Sequence, residues 1–238
     1  MSETSHPLAP ELDCGDGTRM GVYVARPAGK ATAGVLVFQE IWGVNHHIRS
    51  VADRVAALGY LAVAPDLFHR TAPGYQNTYD NMNGMTHAQA MKPEGVAADL
   101  RAAHAFLAGE LFEGAPIAAL GFCVGGRLTF IANALLPLAA AVAFYGGGIA
   151  GQLDRAPEQH GPVLFFWGGK DRFITGDHRR QTVDAMHAAG KPFVHVLYDQ
   201  ADHGFFCDER PSYQASAARG AWGLVRDFLA EHLARHAA

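Results

Sequence analysis

Short apolar runs alternate with stretches of helical period along this chain. Residues 34–39, Gly-Val-Leu-Val-Phe-Gln, carry no polar alternation, which predicts a strand buried on both faces. Residues 47–58 place Ile48, Val51, Ala52, Val55 and Leu58 three or four apart, which predicts a helix stopped by Gly59. The alternation continues with a strand at 60–64, a helix at 94–107, a strand at 115–120 and a helix from 127 onward. Strands at 139–145 and 162–167, a helix at 177–189, a strand at 193–198 and a long helix over 212–233 complete it. Strands separated by helices build right-handed βαβ units. The expected fold is therefore α/β, a mostly parallel twisted sheet with helices on both faces. Residues 17–26 read as an antiparallel edge strand or hairpin. No internal repeat or low-complexity linker divides the chain, so a single domain over 1–238 is expected, with 1–12 as a loosely ordered arm and no large separate cap.

Composition narrows the function classes. Hydrophobic residues make up 49% and charged residues 18%, which favours a compact body with a substantial core. A formal net charge of −4 gives no reason to expect nucleic acid or an anionic membrane as a partner. The one long uncharged run, 134–151, contains Pro137 and Gly146-Gly147-Gly148 and falls short of the roughly 20 residues a spanning helix needs. No signal peptide is visible at the start. Three widely spaced cysteines, Cys14, Cys123 and Cys207, do not form a disulfide framework, and free thiols fit a cytoplasmic location.

The candidate chemistry centres on Gly121-Phe122-Cys123-Val124-Gly125-Gly126, which lies between a predicted strand and a predicted helix. A G-x-nucleophile-x-G turn of this kind is sharp enough to demand glycine and to strain the nucleophile at a helix N-terminus. There the dipole favours a thiolate, and backbone amides face a developing oxyanion. The plainer reading is a buried cysteine among glycines that permit close packing.

A thiol nucleophile needs a base, and the base needs an orienting group. Asp171 ends Trp167-Gly168-Gly169-Lys170-Asp171 just past a strand, and His203 follows the next strand in Asp202-His203-Gly204-Phe205. Nucleophile, acid, histidine is the chain order of α/β-hydrolases. Asp199 and Asp202 are rival acids. Asp202, as the immediate neighbour of His203, should point away from the imidazole. The strand at 34–39 leads into Glu40-Ile41-Trp42-Gly43, where the Ile41 amide is expected to join Val124 as an oxyanion donor. Glu40 is a carboxylate leaving a buried strand, which is either a paired structural ion or a functional group. The 13 histidines offer no convincing metal-ligand spacing, His46 and His47 included, so neither a metal nor an organic cofactor is expected.

Gln39-Glu40-Ile41-Trp42-Gly43, the elbow hexapeptide, Phe144-Tyr145-Gly146, Gly169-Lys170-Asp171 and His203-Gly204-Phe205 together resemble the dienelactone hydrolases, small cytoplasmic α/β-hydrolases. The resemblance runs from about residue 16 to the C-terminal helix. It implies Cys123 as nucleophile, His203 as base and Asp171 as its orienter. It also implies that Glu40 holds the resting thiol neutral and takes its proton when substrate enters. Two arginines that grip the substrate carboxylate in the best-known members have no counterpart here. Residues 71–100 contain no arginine, and Cys207 stands four after His203. Lys92, Arg127 and Arg210 are the candidate substitutes.

The combined expectation is hydrolysis of a small ester or lactone through an acyl-cysteine, by a monomer or small homo-oligomer. Trp42, Tyr145 and Phe205 are the candidate pocket walls, and 70–92 is an irregular loop and candidate lid. Two other classes stay open: a redox sensor in which Cys123 is oxidised, and a non-catalytic ligand-binding relative.

Overall fold

The computed structural model describes residues 4–5 and 8–234. The chain divides into two compact units, Met1–Ile117 and Ala118–Ala238.

In the first unit, β1 (Thr4–Ser5), β2 (Glu11–Asp13), β3 (Arg19–Ala25), β4 (Gly34–Phe38) and β5 (Leu61–Pro65) precede the short β6 (Tyr75–Gln76). Strands β4 and β5 run parallel, while β3 pairs antiparallel with both β5 and β2. The predicted edge strand at 17–26 is thus the inner arm of a hairpin, and β2 takes the outer position. Every residue of β4 and β5 is buried, which requires cover on both faces. Helix α1 (His46–Ala56) packs on β3, β4 and β5, and buries Ile48, Val51, Ala52 and Val55. Its N-cap Asn45 accepts a hydrogen bond from the Ile48 amide at 3.3 Å. Gly59, at φ 96°, donates to the Ala56 carbonyl and ends the turn that follows.

The expected irregular loop at 70–92 is more ordered than its sequence suggests. Strand β6 pairs with β1, and α2 (Gly84–Ala90) occupies the later half. Asparagines tie the remainder together: Asn77 Nδ2 donates to Asn81 Oδ1 at 3.0 Å, which also accepts the Asn83 amide at 3.1 Å. Such side-chain turns leave no hydrophobic period to read, and Met82 and Met85 are exposed. The arm expected at 1–12 falls partly on residues 1–3 and 6–7, outside the described residues; where it is described, it forms β1 and β2. Helix α3 (Pro93–Gly109) follows and packs on β2, β4 and β5.

In the second unit β7 (Ile117–Phe122), β8 (Ala140–Phe144), β9 (Val163–Gly168) and β10 (Phe193–Tyr198) lie side by side in that order, all parallel. All residues of β7, β8 and β9 are buried, whereas β10 exposes Val194 and Leu197 as an edge strand. Helices α4 (Val124–Leu135), α5 (Gly176–Ala188) and α6 (Ala215–Ala234) complete the unit, with α4 against β8 and α6 against β8 and β9. The uncharged run at 134–151 comprises the end of α4, strand β8 and a 3-10 turn. Among the described residues, no helix is long and apolar enough to cross a membrane.

Candidate active site

The turn after β7 holds one residue, Cys123, before α4 begins at Val124. Its backbone sits at φ 55° and ψ −116°, a region that costs a side-chain-bearing residue about 1–3 kcal/mol. The surroundings hold it there. The Cys123 amide donates to the Phe144 carbonyl at 3.1 Å, and its own carbonyl accepts from the Gly126 and Arg127 amides. Close approach explains the glycines: a Cβ on Gly121 would overlap the Gly125 carbonyl, and one on Gly126 would lie 2.5 Å from the Phe144 oxygen. Gly126→Ala is therefore expected to lower unfolding free energy by about 1–3 kcal/mol in urea denaturation, an overpacking cost. Gly151→Ala, where nothing stands within 4 Å, should stay within about 0.5 kcal/mol of wild type. Equal effects at the two positions would refute this account of the elbow.

The loops after β9 and β10 are knitted together by the Gly169 amide donating to Tyr198 and the Lys170 amide to Ala201, each at 2.9 Å. This brings Asp171 Oδ2 to 2.8 Å from His203 Nδ1. The other carboxylate oxygen of Asp171 accepts the Phe173 amide at 2.8 Å and the Ile174 amide at 3.2 Å, so the carboxylate cannot rotate freely. The rival acids face elsewhere. Asp202 accepts the backbone amide of His203 at 2.6 Å, and Asp199 accepts from Gln200.

The imidazole of His203 is buried, which by itself would lower its pKa. Hydrogen bonds to Asp171 and to the Cys123 sulfur outweigh that and push it up to about 10. Asp171 and the Cys123 sulfur thus both favour the protonated imidazole, and Cys123 keeps partial exposure. An accessible thiol beside a fixed imidazolium is the arrangement a nucleophilic cysteine requires.

Aromatic rings surround the imidazole. Tyr145, fully buried at φ 34°, meets it edge-on at 5.0 Å, and Phe205 packs 5.5 Å from Tyr145. Phe173, absent from the sequence-based candidates, lies 5.2 Å from His203 and is 52% exposed, with the Arg172 guanidinium over its ring. Its position two residues after Asp171, in the turn whose amides hold that carboxylate, was the available signal. Of the candidate cations, Arg210 lays its guanidinium against Gly204, beside the histidine, and Arg127 lies over Gly148. Val124 is the first residue of α4, so its amide belongs to the helix turn without intrahelical partners.

The candidates of the first unit gather at the carboxyl end of β4. Glu40 is fully buried and bridges Gly43. The Ile41 carbonyl abuts Gly84, and Trp42 donates its Nε1–H to the Asn81 carbonyl at 2.7 Å while packing 4.6 Å from Tyr79. Trp42 is therefore a tie to the 70–92 segment. The first unit also assembles Cys14, His69 and Asp99, a grouping invisible in a sequence that spreads them over three elements. Its thiol is no nucleophile: burial and then the Asp99 carboxylate push it up to about 11. All three cysteines are free.

The dienelactone hydrolase family profile matches residues 20–233. A carboxymethylenebutenolidase from Pseudomonas putida is 33% identical over 219 residues, which span 90% of this chain and 92% of the relative. The solved structure of a candidate dienelactone hydrolase from Klebsiella pneumoniae is similar at TM-score 0.84 and 32% identity, covering 97% of this chain and 98% of that one. A dienelactone hydrolase-like promiscuous phosphotriesterase from metagenomic libraries shares the fold at TM-score 0.81 and 22% identity, over 98% and 99% of the two chains. The fold is that of the α/β-hydrolases, a mostly parallel mixed sheet with helices, and among the described residues there is no separate cap.

Proposed function

The chain belongs to the dienelactone hydrolase family of carboxylic ester hydrolases, and from that premise we propose that it cleaves a small ester or lactone through an acyl-cysteine at Cys123. The observation that carries this reading is the hydrogen-bonded series of Cys123, His203 and Asp171, with the thiol at a strained elbow. Cys123 Sγ attacks the carbonyl carbon as its proton passes to Glu40, which returns it to the sulfur when the acid product leaves, and the amides of Val124 and Ile41 stabilise the oxyanion. The tetrahedral intermediate collapses as the His203 imidazolium gives its proton to the leaving oxygen. Neutral His203, oriented by Asp171, then takes a proton from water as it attacks the thioester, and the acid product leaves. Neither a metal nor an organic cofactor enters these steps. Tyr145, Phe205 and Trp42 serve as pocket walls in this reading, and the 70–92 segment as a lid. A single domain, a monomer or small homo-oligomer, and a cytoplasmic location where thiols stay reduced complete it.

The test is a screen of small lactones and aryl esters, quenched in acid and followed by intact-mass measurement. An acyl adduct that maps to Cys123 supports the proposal. Turnover with the adduct elsewhere, or oxygen additions on Cys123 with no turnover, would sink it.

Glu40 and His203 act in opposition in this reading. The carboxylate disfavours a thiolate on Cys123 and the imidazolium favours one. Glu40→Gln is expected to cut turnover by about 10²-fold or more and to speed iodoacetamide alkylation of Cys123 below pH 7. A changed melting temperature with an unaltered alkylation profile would instead make Glu40 a structural ion.

A further inference from the structure

Cys14, His69 and Asp99 are all buried, and their ligand-type atoms lie within 4.8 Å of one another. Each comes from a different part of the first unit. Cys14 sits in the turn between β2 and β3, His69 in the turn after β5, and Asp99 on α3. We propose that this cluster is a binding site for one zinc-class divalent cation, with Cys14 Sγ, a ring nitrogen of His69 and a carboxylate oxygen of Asp99 as its protein ligands.

The donor chemistry fits. A soft thiolate with imidazole and carboxylate selects zinc over magnesium or calcium, which prefer all-oxygen shells. The geometry is close. Tetrahedral zinc separates its nitrogen, oxygen and sulfur ligands by about 3.3–3.6 Å. His69 Nε2 and Asp99 Oδ1 are already 3.0 Å apart, so side-chain adjustment on the order of an ångström admits the ion. Two protons occupy its place. The Cys14 thiol and the His69 imidazole both hydrogen-bond to Asp99. The ion replaces both: Cys14 releases its proton to solvent, and His69 carries its own on the nitrogen that does not ligate.

The balance of charge also fits. A divalent ion with one thiolate and one carboxylate is neutral, and the surroundings already hold their own pair in Arg70 and Asp16 at 2.8 Å. Arg70 also bonds Asp99 Oδ1 at 2.6 Å, the same oxygen that faces His69, and so orients the carboxylate while its other oxygen stays available to the ion. A small pocket of about 20 Å³, lined by Arg70, Thr71, His87, Lys92 and Asp99, borders the cluster at Asp99 and offers the ion an approach with room for one water.

Chelator-stripped full-length protein titrated with Co²⁺ and Zn²⁺ tests this. Cys123→Ala is run in parallel, because the elbow also offers a thiol beside an imidazole. Expected are one ion per chain, a thiolate-to-cobalt charge-transfer band retained in Cys123→Ala, and release of about one proton per zinc bound. Cys14→Ser should abolish the band and weaken zinc by more than about 100-fold, beyond the cost of outer-shell changes. His69→Gln should weaken zinc at least tenfold, and it serves as the ligand variant if Cys14→Ser fails to fold. The proposal is overturned if the wild type shows no saturable band. It is also overturned if the band survives Cys14→Ser, or if His69→Gln binds zinc as tightly as wild type.

Discussion

Cys123→Ala is expected to reduce ester or lactone turnover by about 10³-fold or more while leaving the fold intact, since in the proposed mechanism the loss of the nucleophile leaves only what the oxyanion site and binding supply. The geometry makes the effect large. Cys123 is the only residue between the end of β7 and the start of α4, and its positive φ aims the side chain out of the elbow toward His203. A thiol removed from that position has no substitute. Cys207 is fully buried, and Cys14 belongs to the separate cluster around Asp99. Alanine is smaller than cysteine, so the elbow should accommodate it without new clashes. The measurement is kcat/KM on any substrate that emerges from the screen, together with a urea midpoint to confirm folding. More than a few per cent of wild-type turnover in a folded Cys123→Ala protein would reject covalent catalysis. Cys123→Ser should also fold yet stay far slower on activated esters, because a site arranged in the proposed mechanism around a thiol and Glu40 is poorly matched to deprotonating a hydroxyl.

That Cys123, Asp171 and His203 come together was legible in the sequence because their placement is set by local rules. Glycines at 121 and 126 are where backbone packs on backbone, and loops directly after parallel strands place their first residues at one end of a sheet. The strand runs at 34–39 and 162–167 were readable for a related reason, since four or more apolar residues in sequence leave few alternatives. What escaped was whatever depends on side chains meeting across distant segments. Asn77 and Asn81 build the start of the 70–92 segment through their amides, and no hydrophobic period announces α2 behind them. Phe173 stands in a loop with no period to mark it, and only the Asp171 turn places its ring on His203. Nothing in the period of the helix at 94–107 marks Asp99, which is buried and holds His69, Arg70 and Cys14.

His203→Ala is expected to cost about 10²- to 10⁴-fold in kcat/KM, the usual range for a general acid–base group, and Asp171→Asn should show why the histidine works. The imidazole stands at about 10 against an ordinary value of 6.5, with burial opposing the rise and Asp171 and Cys123 enforcing it. The sign follows from which form is favoured. The folded protein stabilises the protonated ring, so that stabilisation is complete below about 6.5 and is lost as pH rises through about 10. Removing the carboxylate charge brings the folded value down. Asp171→Asn should therefore move the alkaline limb of kcat/KM to lower pH and lose urea stability relative to wild type at pH 6, with the gap closing toward pH 10. Asp202→Asn should leave the limb in place, because that carboxylate accepts only a backbone amide of the histidine turn in the contacts around His203. A limb that moved in Asp202→Asn and stood still in Asp171→Asn would assign the orienting role to the wrong acid. A urea gap that widened with pH would mean that Asp171 stabilises the fold by something other than the charged imidazole.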